Sequence, residues 1–205
     1  MKRGGRSDEA RRRAIRQRIA AEAGRLLATR GVPDSREAIR RAARMVGESG
    51  EHAWPTHEEV LEQQLEYQRL FLSGSQPEAL RRLREAAGEA MEFLAGFEPR
   101  LYGAVLDGSA DEGSSVRLQV FSEDPEGFAR FLAEQGWPAE PFDLRLALRR
   151  DSSERFLAWR FSAGGVPFEI VALPPGLLRQ APLDPDGKPM ARASLAQLQR
   201  LASGT

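Results

Sequence analysis

The hydrophobic period of this chain changes once, and that change constrains the fold more than any other feature. Up to Pro99 the apolar residues recur every three or four positions; beyond it they recur every second. A period near 3.6 belongs to helices and a period of 2 to half-buried strands. The expected organisation is a basic, disordered leader at 1–7, a helical region at 8–98 and an α+β region at 99–205.

Four helices are predicted before the change. The first covers about 8–30, with Ser7 or Asp8 as cap and Ile15, Ile19, Ala23, Leu26 and Leu27 near one face. Gly31 and Pro33 supply its stop. The second covers 35–46 and stops at Gly47, with Ala38, Ile39, Ala42, Ala43 and Val46 as its buried stripe. The third starts at Thr56, whose hydroxyl forms a capping box with Glu59, and carries Val60, Leu61, Leu65, Leu70, Phe71 and Leu72. After a break at Ser73-Gly74-Ser75 the fourth starts with Ser75 as cap and Pro77 in its first turn. It runs to about Gly96 through Leu80, Leu83, Ala87, Met91 and Leu94.

Beyond Pro99 a buried strand is predicted through Tyr102 to Leu106, then a turn at Gly108-Ser109 and a strand from Ser115 to Phe121. In that strand Val116, Leu118 and Val120 oppose Arg117 and Gln119. A short helix opens at Asp124-Pro125 and closes at Gly136. Strands follow at 142–148, 155–162 and 166–173, the last two joined by a tight turn at Gly164-Gly165. An irregular tail and a short helix at 193–201 complete the chain. The early hairpin argues against a doubly wound parallel sheet. A mixed or antiparallel sheet with flanking helices is expected.

Composition bounds the chemistry. With 41% hydrophobic and 29% charged residues, the chain has the balance of a soluble globular protein. No apolar run approaches the roughly 18 residues of a membrane span. The basic N-terminus is followed by no apolar segment and is read as carrying no secretory signal. The absence of cysteine removes thiolate chemistry and disulfides, and suits the cytoplasm. His52 and His57 would need carboxylate help to bind a metal and read better as surface residues. No Ser-His-Asp set, P-loop or dinucleotide fingerprint is present. Trp54, Trp137 and Trp159 are scattered and read as packing residues.

Net charge is zero but uneven. Residues 1–55 carry 14 basic and 7 acidic side chains, and residues 56–100 carry 5 and 9. Arg11, Arg12, Arg13, Arg16 and Arg18 crowd the first helix. They read either as a solvated face paired to acids on the third and fourth helices or as a contact for RNA or another polyanion. The helical region could equally meet a protein partner.

The stretch LYGAVLDGSADEGSSVRLQVF, residues 101–121, together with Glu169 in PFEIVAL, resembles the signature of the DNA-polymerase-beta-like nucleotidyltransferases. The likeness covers roughly 90–175 and suggests a degenerate member of that superfamily. In that family a strand ends in Gly-Ser or Gly-Gly, and a second strand bears two alternating acids. A later strand gives a third. The resemblance implies a nucleotidyltransferase-like fold in which Gly108, Ser109, Ser115 and Arg117 lie where a nucleotide's phosphates bind, and Glu169 is the remaining catalytic acid. This chain departs where the acid pair belongs, reading Ser115 and Arg117. Asp107, Asp111 and Glu112 lie before or within the turn, in the wrong phase. An arginine at the second position repels a divalent cation. The expectation is a non-catalytic binding or regulatory protein with no metal and no cofactor. The alternative is an active enzyme moving a nucleoside monophosphate onto RNA, protein or a small molecule, using Mg2+ and a nucleoside triphosphate. If the alignment holds, Arg117 and Glu169 face each other on neighbouring strands as an ion pair.

Overall fold

The structure is a computed structural model that describes residues 4–29, 32, 34–48, 50–72 and 74–203, with side chains from residue 8 onward. It is mixed α+β, and its contacts divide it into two compact units, Met1–Ser73 and Gly74–Thr205. The division falls earlier than the change of period. The fourth helix is periodic like the others, but its apolar face belongs to the core of the sheet unit.

The first unit holds α1 (Gly4–Ala28), α2 (Ser35–Val46) and α3 (His57–Phe71). Helix α1 begins at Gly4, so the leader is helical from there and neither Ser7 nor Asp8 caps it. Gly31, Pro33 and Ser73 lie outside the described residues. Asp34 caps α2 by accepting from Glu37 N at 2.9 Å, and Gly47 ends it at φ 80. The Thr56–Glu59 capping box opens α3. Ile19, Ala23, Leu26, Ala38, Ile39, Ala42, Ala43 and Val60 form the core of this unit. Helices α1 and α3 approach closely at Gly24, where a Cβ would stand 2.7 Å from Gln64 N. Helix α3 departs from expectation at its end. Leu70 and Phe71 are exposed and Gln68 is buried, because one face of the helix passes through Val60 and Gln68, eight residues on.

The second unit opens with α4 (Gln76–Phe93). Ser75 precedes it in a helical conformation with no side-chain capping bond, so that expected cap is absent. Five strands follow, β1 (Arg100–Tyr102), β2 (Val116–Phe121), β3 (Glu140–Arg149), β4 (Ser152–Ala163) and β5 (Val166–Leu173). Their order is β1-β2-β5-β4-β3; β2 and β5 are parallel and the other neighbours antiparallel. Helix α6 (Pro125–Glu134), capped by Asp124, and helix α7 (Leu195–Ser203) complete the unit with α4. One face of the sheet sends Val116, Leu118, Val120, Phe168 and Ile170 into a core shared with Leu83, Met91, Phe128 and Leu198 from these helices. Trp159 is buried there, and Trp137 packs at its margin.

The expected strand through Leu106 is corrected. Strand β1 ends at Tyr102, because Gly103 adopts φ 74 and ψ −154, outside the strand region. A four-residue helix, α5 (Ala104–Asp107), follows and is closed by Gly108 at φ 89. Strands β1 and β2 still pair, with Tyr102 opposite Arg117. Their link is a helical turn and loop rather than a tight Gly-Ser hairpin.

The opposite face of the sheet is covered at one end only. Leu177, Leu178 and Met190, on the segment after β5, pack on Tyr102, Phe121, Leu146, Val171 and Leu173. The segment is pinned by Arg192, which donates to the carbonyls of Leu177 and Leu178 and to Gln119 Oε1. That cover buries Gln119 completely, although its strand phase points it away from the main core. Beyond the cover the face is exposed.

Candidate functional site

A single row of side chains crosses the face, from Tyr102 at the margin of the cover out to the exposed part. The strand registers set Tyr102 opposite Arg117, Arg117 opposite Glu169, Glu169 opposite Arg160 and Arg160 opposite Glu140. These five positions span all five strands in line. Cross-strand neighbours on one face lie about 5 Å apart at Cβ, close enough for charged ends to meet.

Glu169 is the centre of the row. Its Oε2 accepts from Arg117 Nε at 3.0 Å and its Oε1 from Arg160 Nε at 2.9 Å. Its side chain is 18% exposed, against 47% for Arg117 and 58% for Arg160. One carboxylate thus faces two guanidiniums, and Glu140, at the end of the row, carries the second acid. The expected Arg117–Glu169 pairing is present in this geometry, and Arg160 is the partner that sequence reasoning missed. Arg160 is further fixed by Phe142, whose ring centre lies 3.9 Å from the guanidinium carbon. The terminal nitrogens of Arg117 and Arg160 make no hydrogen bond among the described residues.

Two neighbours shape the ends of the row. Gly103 lies against Arg117: a Cβ there would be 3.5 Å from Arg117 Cδ. Tyr102 is buried, which pushes its phenol up to about 12; Arg117 opposes that rise and Glu169 adds to it. At the far side, Ser115, Glu140, Arg160, Ser162, Pro167 and Glu169 line a groove of about 390 Å³.

Gly108 and Ser109 are employed elsewhere. The carbonyl of Gly108 accepts from Gln76 Nε2 at 2.8 Å, and a Cβ on Gly108 would lie near Arg84 and Leu80 of α4. Ser109 is buried, and both its amide and its hydroxyl donate to Asp107 Oδ1. The Gln76 bond ties the α5 turn to α4, and the Asp107 bonds close the turn on itself. The glycine that directly follows β1 and touches the row is Gly103, and the residue after it is Ala104, which has no hydroxyl. Of the expected site residues, Ser115, Arg117 and Glu169 share one region; Gly108 and Ser109 serve the turn.

The other expected groups are placed as follows. His57 Nδ1 lies 2.9 Å from Ser35 Oγ, and the carbonyl of His52 accepts from Arg16. No group of three or more His, Cys, Asp or Glu side chains suited to a metal occurs among the described residues. Arg11, Arg12, Arg13 and Arg18 are exposed, and Arg16 is half-buried in a pocket with Glu59 and Glu62 of the third helix; none of the five forms an ion pair among the described residues. No described helix is long and apolar enough to cross a membrane. No family model, no curated protein and no solved structure matches the chain.

Proposed function

We propose that this protein is a non-catalytic binding protein on a nucleotidyltransferase-like sheet, in which guanidiniums have replaced metal ions. Its ligand carries a phosphate group, as a nucleotide does, and binds without a divalent cation. The observation that carries this reading is Glu169 held between Arg117 and Arg160 through their Nε atoms. Each guanidinium then keeps its Nη donors for another acceptor. The Arg160 fork at the groove, with that of Arg117 on the other side of Glu169, suits phosphate oxygens, which guanidiniums bind through parallel charge-assisted hydrogen bonds. Ser115, at the same groove, adds a hydroxyl donor.

Support for the superfamily likeness comes from the strand arrangement. Strand β2 follows β1, pairs with it, and lies parallel to the later strand that bears Glu169. The departures are Ser115 and Arg117 in place of the acid pair, and Gly108-Ser109 lying after the α5 turn rather than at the end of a strand.

The magnesium ions of that superfamily do not fit this residue set. Two divalent cations need several anionic oxygens; Glu169 is already held by two guanidiniums, and Glu140 stands on the far side of Arg160. A cation entering here would meet the two guanidiniums that already hold Glu169.

Calorimetry with a nucleoside triphosphate, with and without magnesium, tests the reading. Binding is expected without metal, with at least about a hundredfold loss in the Arg117→Ala/Arg160→Ala variant, the scale of two charged hydrogen bonds. Incubation with labelled nucleoside triphosphates, magnesium or manganese, RNA and protein tests the enzyme alternative. A labelled product that disappears in Glu169→Gln would establish catalysis instead.

A further inference from the structure

The leading part of α1 has an unusual environment for a helix in a small protein. Every residue from Asp8 to Ala14 is exposed, nearly two full turns, and among the described side chains the first to reach the core of the unit is Ile15. A helix in a globular protein normally hides one face. Here the apolar face stops. Arg12 lies seven residues before Ile19, on the side that becomes core further along, yet it is an exposed arginine.

The placement of charge around this segment distinguishes among possible partners. At about 100° per residue, Arg11, Arg12, Arg13 and Arg18 spread over more than half the circumference of the helix. A membrane surface would call for an apolar face opposite a basic one, and none exists from Asp8 to Ala14. A flat acidic protein surface would call for a single basic stripe. Charge on several sides matches a partner that surrounds the helix. Asp8 and Glu9 stand one turn ahead of Arg12 and Arg13 but form no ion pair with them, so the guanidiniums keep their donors.

We infer that the leading turns of α1 enter the major groove of double-stranded DNA and contact phosphates on both walls. A helix with its side chains is about 10–12 Å across, and the B-form major groove is about 12 Å wide. The A-form groove of duplex RNA is too narrow for such an entry. The contact is with the backbone: arginine-to-phosphate bonds give affinity without fixing sequence.

Fluorescence anisotropy of the full chain with a labelled duplex DNA, the matching duplex RNA and an acidic polypeptide tests the inference. With four arginines on phosphates, the affinity for DNA should fall about 100-fold between about 50 and about 200 mM salt. Arg11→Ala/Arg12→Ala/Arg13→Ala, all exposed and so harmless to the fold, should lower the salt slope by about three. A circular dichroism spectrum unchanged in the variant keeps that comparison valid; Arg11→Gln/Arg12→Gln/Arg13→Gln, which keeps helix-forming side chains and should lower the slope equally, replaces it if the spectrum changes. No DNA binding at low salt, equal binding to duplex RNA, tighter binding to the acidic polypeptide, or an unchanged slope in the Ala variant would each overturn the inference.

Discussion

Glu169 grips two arginines by the same atom, Nε, and that choice of nitrogen decides what the site can do. Had either arginine met the carboxylate through its terminal nitrogens, the fork would be spent. The two pairs are partly exposed, so each adds about 0.5–1 kcal/mol at most, and their value lies in orientation. Arg160 was legible in the sequence by simple counting. Gly164 and Gly165, at φ 57 and 75, form the two-residue turn, and stepping outward from it pairs Ala163 with Val166 and Arg160 with Glu169. Gln119 was not legible. Its alternation points it outward, and it is buried by a segment some 70 residues later whose path no local pattern reveals. Tyr102 gives a prediction at this scale. Its phenol titrates near 10 when unfolded and about 12 when folded, so the folded state resists ionisation. Its contribution is whole below about pH 10 and is lost as pH rises toward 12, about 2–3 kcal/mol in all. Urea midpoints across that range should fall more steeply for the parent than for Tyr102→Phe. Equal slopes would contradict the shift.

At the scale of elements, most helices and strands follow from local chemistry. The capping box at Thr56 and the left-handed Gly47 set boundaries that a reader of the sequence can place to within a residue. The stretch 101–109 reads as a strand for a physical reason: Tyr102-Gly103-Ala104-Val105-Leu106 is apolar enough for a buried strand, and a four-residue helix is too short to show a period. What decides it is Gly103, whose φ of 74 with ψ of −154 is a conformation that side-chain-bearing residues avoid. Gly103→Ala should therefore destabilise the protein by about 1–3 kcal/mol, although the space beside it is adequate. Gly108→Ala, in the ordinary left-handed region, should cost about 1 kcal/mol. Thermal midpoints of the two variants check the ranking, and a Gly108→Ala more damaging than Gly103→Ala would contradict it. Gly24→Ala belongs with them: the new methyl would press on the α3 backbone, and no helix-propensity gain offsets that.

At the scale of the whole molecule, the period change at Pro99 marks where the sheet begins, while the units divide at Ser73. Helical periodicity says that α4 has an apolar face but not which core receives it. The cores themselves are separate: that of the first unit draws on residues between Ile15 and Val60, and those of the second on residues from Leu80 onward. A fragment beginning at Gly74 keeps every residue of its own cores. It should unfold cooperatively and keep the metal-free nucleotide binding of the full chain. A fragment without a cooperative transition would show that the second unit depends on the first.

The central claim is that arginines occupy the place where a nucleotidyltransferase would hold metal, and restoring the acids tests it most directly. In Ser115→Asp/Arg117→Asp two carboxylates join Glu169 and one guanidinium is gone. Thermal unfolding with and without about 10 mM magnesium is the measurement. The midpoint of the variant should rise by a few degrees, as for a site of about millimolar affinity, while that of the parent stays unchanged. A parent stabilised by magnesium as much as the variant, or a variant indifferent to it, would contradict the claim.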